Sequence, residues 1–146
     1  MRVHVQRVSR ARVSVDGRVV AEIGKGALVL LGVRKGDTEE DARRLSQRCA
    51  DLRFFPDARG NLNLSIAEAR GTFLVVSQFT LYADTRGGRR PSFTEAAAGA
   101  EAEPLYLFFC GELEKRGFAV SRGVFGAMMD VELVNQGPVT LLLEQP

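Results

Sequence analysis

Apolar and polar residues alternate at the start of the chain. Val3 and Val5, then Val13 and Val15, stand between polar neighbours at period two. This predicts half-buried strands, because successive side chains on a strand point to opposite faces. Asp16-Gly17 separates Val13-Ser14-Val15 from Arg18-Val19-Val20. An Asp-Gly pair between β-branched runs predicts a two-residue hairpin whose central residues both take positive φ. After a second turn at Gly24-Lys25-Gly26 comes the apolar run Ala27-Leu28-Val29-Leu30-Leu31-Gly32-Val33. A run with no polar interruption predicts a strand covered on both faces.

The period then changes. Asp37 and Thr38 are candidate N-caps, followed three positions on by Glu40 and Asp41, and Ala42, Leu45, Cys49 and Leu52 recur at spacings of three and four. This is the pattern of a capped amphipathic helix with arginines on its outer face. Phe54-Phe55-Pro56 is expected to end it, with a turn at Asp57–Gly60 and a short extended piece at Leu62-Asn63-Leu64. Thr72 to Phe79 reads as another buried strand, followed by a loop rich in glycine and arginine, Asp84–Pro91. Glu103-Pro104 is expected to open a second helix, with Leu105, Phe108, Phe109 and Leu113 on its apolar side and Gly117 beyond its end. Met129, Val131 and Leu133 alternate again; Asn135-Gln136-Gly137-Pro138 interrupts, and Val139 to Glu144 resumes a strand. The pattern predicts a single α+β domain over residues 1–146, strand-dominated, with a curled sheet or β-barrel-like architecture and two amphipathic helices. Strand edges left open by such a sheet favour a dimer.

Composition narrows the chemistry. The 146 residues are 45% hydrophobic and 26% charged, enough apolar surface for one globular core. There is one histidine, His4, and there are two cysteines, Cys49 and Cys110. Histidine-rich metal sites and Cys-x-x-Cys pairs are excluded, and a Ser-His-Asp or Cys-His arrangement has only His4 to draw on. No metal and no cofactor is expected. Both cysteines fall within helical segments and read as buried thiols, which suits a reducing compartment. The net charge is only +2, yet 17 of the 20 basic residues are arginine, the side chain best shaped for phosphate and equally the one a GC-rich genome would supply. The balance is too small to coat a duplex and compatible with holding one end of a nucleic acid. The first residues show no apolar leader, and no apolar run approaches the ~20 residues that span a bilayer. A cytoplasmic location without a membrane partner is expected.

Two segments stand out as candidate chemistry. In Ser77-Gln78-Phe79-Thr80-Leu81-Tyr82-Ala83, hydroxyls and an amide follow directly on a buried strand and precede a Gly-rich loop, a common place for a ligand; the plainer alternative is that they satisfy backbone groups or face solvent. In Asn135-Gln136-Gly137-Pro138-Val139-Thr140, the Gly-Pro step is either an ordinary turn or a stretch of bare backbone able to approach a ligand closely.

These two segments, together with Arg90-Pro91-Ser92-Phe93, resemble the signature segments of the D-aminoacyl-tRNA deacylases. The resemblance runs in order along nearly the whole chain. It takes in Gln6-Arg7-Val8-Ser9-Arg10-Ala11, Leu31-Gly32-Val33, Phe54-Phe55-Pro56-Asp57 and Gly123-Val124-Phe125-Gly126-Ala127-Met128-Met129. Gln136 departs from the aspartate found in many members. The resemblance implies hydrolysis of the ester joining a D-amino acid, or glycine, to the 3′-terminal adenosine of tRNA. It implies a homodimer of small barrel-like subunits with active sites at the interface. It also implies that Ser77, Gln78, Phe79 and Thr80 line the pocket of one subunit, and that a cis Gly137-Pro138 step from the partner completes it.

Thr80 is the obvious nucleophile candidate, but Ser77–Ala83 contains no His, Lys, Asp or Glu to act as its base. The alternative, which the resemblance favours, is that the vicinal 2′-hydroxyl of the terminal ribose helps activate water while the protein positions the ester. On that reading Thr80 and the Phe79 amide hold the ester and its developing charge. Main-chain carbonyls of Gly137 and Pro138 facing the substrate Cα would collide with an L side chain and spare a D one. Phe125 and Met129 are candidates for the adenosine face, with core packing as the competing reading. Arg7 is a candidate holder of the Gly-Pro segment. Arg86, Arg89 and Arg90 either meet tRNA phosphates or form a solvated loop. The rival class is a non-catalytic nucleic-acid-binding accessory protein that uses this arginine loop alone.

Overall fold

The structure is a computed structural model that describes residues Met1 to Gln145. The elements in chain order are β1 (Arg2–Val15), β2 (Arg18–Ile23), β3 (Gly26–Gly32), α1 (Glu39–Asp51), β4 (Phe55–Pro56), β5 (Leu62–Leu64) and β6 (Thr72–Ser77). A 3-10 turn (Phe79–Tyr82), α2 (Gly99–Lys115), β7 (Val120–Arg122) and β8 (Asp130–Glu144) follow. The hairpin between β1 and β2 is as its sequence predicts, with φ of 50° at Asp16 and 76° at Gly17.

The two short strand patterns at the N-terminus form one strand. Along one edge, β1 pairs antiparallel with β3 through its first half and with β2 through its second. Its other edge pairs antiparallel with β8 over almost its whole length. The sheet extends from β3 to β6 and β7 by parallel pairing, and β2 curls back alongside β6 and β7. The architecture is therefore the strand-dominated, nearly closed barrel-like α+β fold that the sequence pattern predicts.

The curl divides the core. Val3, Val5, Val29, Leu31, Phe73 and Val75 pack outward against the two helices, through Leu45, Cys49, Tyr106, Phe109 and Leu113. Val8, Val13, Ile23, Leu28, Leu74 and Val76 fill the interior of the curl. Adjacent residues of β3 and β6 thus enter different clusters, which is why these strands carry unbroken apolar runs.

Thr38 is the N-cap of α1. Its hydroxyl accepts from the Asp41 amide at 3.3 Å, and the Asp41 carboxylate accepts from the Thr38 amide at 2.8 Å. Asp37 instead accepts from the Arg34 amide at 2.6 Å. Helix α1 stops at Asp51, before Phe54-Phe55-Pro56. Helix α2 begins at Gly99, not at Glu103-Pro104, and carries Pro104 inside it. The Ala-Gly run 96–100 has no apolar period to announce a helix, so the proline was the visible landmark. The buried side of α2 is Ala102, Tyr106, Phe109, Cys110 and Leu113; Leu105 and Phe108 are only partly buried. β8 runs through Asn135–Pro138 without ending there. No helix among the described residues is long and apolar enough to cross a membrane.

Candidate active site

The parallel strands β3 and β6 end together, with Leu31 opposite Ser77. The Gln78 amide donates to the Leu31 carbonyl at 2.8 Å, and the chain then winds into the 3-10 turn. Gly32 makes room for that turn. A Cβ on it would lie 3.0 Å from the Gln78 carbonyl oxygen and 3.1 Å from Leu81 Cβ. The strand stops at Ser77, two residues short of the Phe79 that the apolar run suggests; Phe79 is instead the first residue of the turn, so its amide has no acceptor within it.

A cavity of about 630 Å³ opens at these strand ends, the usual place for a ligand where parallel strands terminate. Ser77, Gln78 and Phe79 line it from the strand end and the turn, and Phe125 and Met129 line it from the segment before β8. Sequence reasoning missed Tyr106 and the strap through Ala97 and Gly99, which also line it. Tyr106 is buried, donates its hydroxyl to the Val75 carbonyl at 2.9 Å, and sets its ring 5.8 Å from that of Phe125. The signal for it was present, since Ala102, Tyr106, Phe109 and Leu113 recur at spacings of four and three. Burial raises its hydroxyl well above the ordinary tyrosine range.

Thr80 is not among the cavity-lining residues. It is exposed on the turn, and its hydroxyl accepts a hydrogen bond from the Gln78 side-chain amide. No His, Asp, Glu or Lys among the described residues hydrogen-bonds to the side chains of Ser77, Gln78 or Thr80. Phe79, 55% exposed, meets Phe93 edge to face with ring centroids 5.0 Å apart. That contact seats the base of the arginine loop beside the cavity. The loop is closed by paired backbone bonds between Asp84 and Ser92, at 2.7 and 2.8 Å. Arg86 folds onto Asp84 and holds that carboxylate far below its usual range. Arg89 and Arg90 are exposed and form no ion pair among the described residues.

The remaining predicted residues lie elsewhere. Arg7, 7% exposed, donates from Nη1 to the Phe54 carbonyl at 2.9 Å and from Nε to the Gln136 carbonyl at 3.2 Å. It thereby touches the segment that carries the cis Gly137-Pro138 bond. Arg7 lies opposite Ala27 on β3, while the cavity opens at Leu31. Four residues of strand, about 13 Å, separate the two levels. Gly137 and Pro138 sit on β8, on the far side of β1 from β3 and β6. Neither they nor Arg7 line the cavity. His4 pairs in register with Leu30 and Leu142 and is also not at the cavity. Both cysteine thiols are buried and pushed up to about 12.

A curled sheet with a partly apolar pocket at its strand ends defines a class of small ligand- or substrate-binding barrels. Comparison with known proteins specifies the class further. Residues 4–144 match the family described as D-Tyr-tRNA(Tyr) deacylase. The D-aminoacyl-tRNA deacylase of Roseiflexus castenholzii is 57% identical over 144 residues, covering 99% of this chain and 92% of that protein. That of Halalkalibacterium halodurans is 51% identical, covering 99% of both. Among solved structures, one described as c-Myc DNA Unwinding Element Binding Protein superposes with a TM-score of 0.94 at 37% identity, covering 100% of this chain and 99% of that one. A probable eukaryotic D-amino acid tRNA deacylase shares the fold, with a TM-score of 0.81 at 20% identity and 97% coverage of both chains. The chain belongs to the D-Tyr-tRNA(Tyr) deacylase family.

Proposed function

We propose that the chain hydrolyses the ester between a D-amino acid, or glycine, and the 3′-terminal adenosine of tRNA, as a homodimer whose active sites lie at the subunit interface. The division of the site residues carries this reading. Ser77, Gln78 and Phe79 open on a cavity, whereas Gly137 and Pro138 lie in a separate protrusion of β8 whose Gln136 carbonyl the buried Arg7 holds. One copy cannot bring the two together, and a second copy can supply the protrusion to the first copy's cavity.

In that assembly the terminal adenosine lies against Phe125 and Met129. The ester carbonyl meets the Phe79 amide, with Thr80 beside it, so that charge developing on the carbonyl oxygen faces a donor already in place. The vicinal ribose 2′-hydroxyl helps activate the attacking water, since the turn holds no base. Water adds to the ester carbon, the ribose oxygen leaves with a proton, and free tRNA and amino acid result. Gly137 and Pro138 present main-chain carbonyls to the substrate Cα and exclude an L side chain. Arg7 keeps them there. Arg89 and Arg90 meet backbone phosphates near the acceptor end.

The resident class is cytoplasmic in this reading. A non-catalytic nucleic-acid binder is the second reading, and the description of one similar structure as a DNA-element-binding protein bears on it. The cavity favours the hydrolase, because phosphate binding through an arginine loop requires no such enclosure. Incubation of the purified chain with D- and L-tyrosyl-tRNA tests the proposal directly. Release of D-tyrosine well ahead of L-tyrosine is expected. Equal rates, or no release of either, would overturn it. Sedimentation analysis checks the dimer.

A further inference from the structure

The protrusion on β8 has a neck. Gln6 pairs with Thr140 and Val8 pairs with Asn135, so residues 136–139 of β8 stand against Arg7 alone on β1. Four residues opposite one cannot be held by ladder hydrogen bonds. Side chains hold them instead.

Two contacts do so, from opposite faces of the sheet. Arg7 reaches the helix side, where its guanidinium bonds the Phe54 carbonyl and the Gln136 carbonyl. Asn135 and Thr140, in register with Val8 and Gln6, belong to the other face, because strand residues alternate. There the Asn135 Nδ2 donates to the Thr140 Oγ1 at 2.8 Å, across the base of the protrusion. The Oδ1 of the same amide is buried without a partner. Asn135 is half-buried, Thr140 is exposed, and an amide oxygen left unsatisfied costs stability, so the exposed bond to Thr140 does not explain the residue by stability alone.

We propose that Asn135 and Thr140 are positioning residues for chiral selection: their side-chain bond closes the neck of the Gly137–Pro138 protrusion and fixes how far its carbonyls reach toward the substrate Cα. The proposal rests on the reading that these carbonyls exclude L side chains. Opening the neck lets the protrusion recede. A recession on the order of 1 Å is enough to matter where selection is steric. The loss appears as L-ester hydrolysis, because a D side chain never met the obstruction.

Single-turnover deacylation of D- and L-tyrosyl-tRNA tests this with Thr140→Val, which keeps shape and removes the hydroxyl, and Thr140→Ser, which keeps the hydroxyl. Thr140→Val is expected to raise the ratio of L to D rates about tenfold or more. Thr140→Ser is expected to keep the wild-type ratio. Asn135→Ala removes the same bond from the other side and gives the same readout if Thr140→Val does not fold. The clamp is overturned if the ratio in Thr140→Val and Asn135→Ala stays at the wild-type value, if both rates fall in proportion, or if Thr140→Ser behaves as Thr140→Val. A wild-type chain that does not discriminate at all overturns the chirality reading, and the clamp with it.

Discussion

The side-chain amide of Gln78 donates a hydrogen bond to the hydroxyl of Thr80 on the same turn. An amide nitrogen takes no proton, so this contact orients the hydroxyl without activating it. Thr80→Ala is therefore expected to slow D-tyrosyl-tRNA deacylation by no more than about tenfold, the scale of one lost neutral hydrogen bond. Removal of an attacking group costs on the order of 10⁴-fold or more. A loss of that size in single-turnover rates, with tRNA binding intact, would assign Thr80 as the nucleophile.

Gly137 has a φ of +117°, and a Cβ on it would lie 2.8 Å from Arg7 Nη2 and 3.0 Å from Val139 Cγ2. Gly137→Ala forces the guanidinium aside and places an L residue in a backbone region it avoids. A loss of about 1–3 kcal/mol is expected, read as a lower urea midpoint. D-tyrosyl-tRNA turnover falls with it, because Arg7 and the protrusion move together. Unchanged stability and turnover would show that the contact is dispensable.

Cys49 and Cys110 sit among apolar side chains, and burial pushes each thiol up to about 12. Only the thiolate reacts with alkylating agents. The native protein at pH 8 is expected to resist iodoacetamide and to keep full deacylase activity, whereas the denatured chain takes up two labels. Mass spectrometry reads the difference. Rapid labelling of either cysteine in the native state contradicts this account of the core.

Arg89 and Arg90 are exposed on the arginine loop and form no ion pair among the described residues. If each neutralises one phosphate, Arg89→Ala and Arg90→Ala each reduce the slope of log affinity against log salt by about 0.7–0.9. Binding of uncharged tRNA across a salt series measures this. Slopes equal to wild type would return the loop to the status of a solvated surface.

Local patterns were legible where the physics is local. Thr38 with Asp41, Asp16-Gly17, and the alternation of Val13 with its neighbours each specify their own backbone through contacts within a few residues. The start of α2 was not legible, because Ala and Gly at 96–100 carry no period and the helix there is stabilised by what it packs on. The same holds for β1. Two strand patterns form one strand because β8 pairs along its full length, and no local signal shows that partner.

The site divides in the same way. The ordered motifs were enough to mark Ser77, Gln78, Phe79, Phe125 and Met129, and the structure brings all five to one cavity. By itself, then, the sequence determined the strand-rich class, the capped first helix and the segments whose residues line the cavity. Only the tertiary structure decided that Tyr106 lines the cavity, that Thr80 stands outside its wall, and that the buried Arg7 holds a separate Gly137–Pro138 protrusion. Those facts depend on register and packing between residues up to 130 apart, such as Arg7 and Gly137, where the pairing of strands, and not the preference of any residue, sets which groups meet.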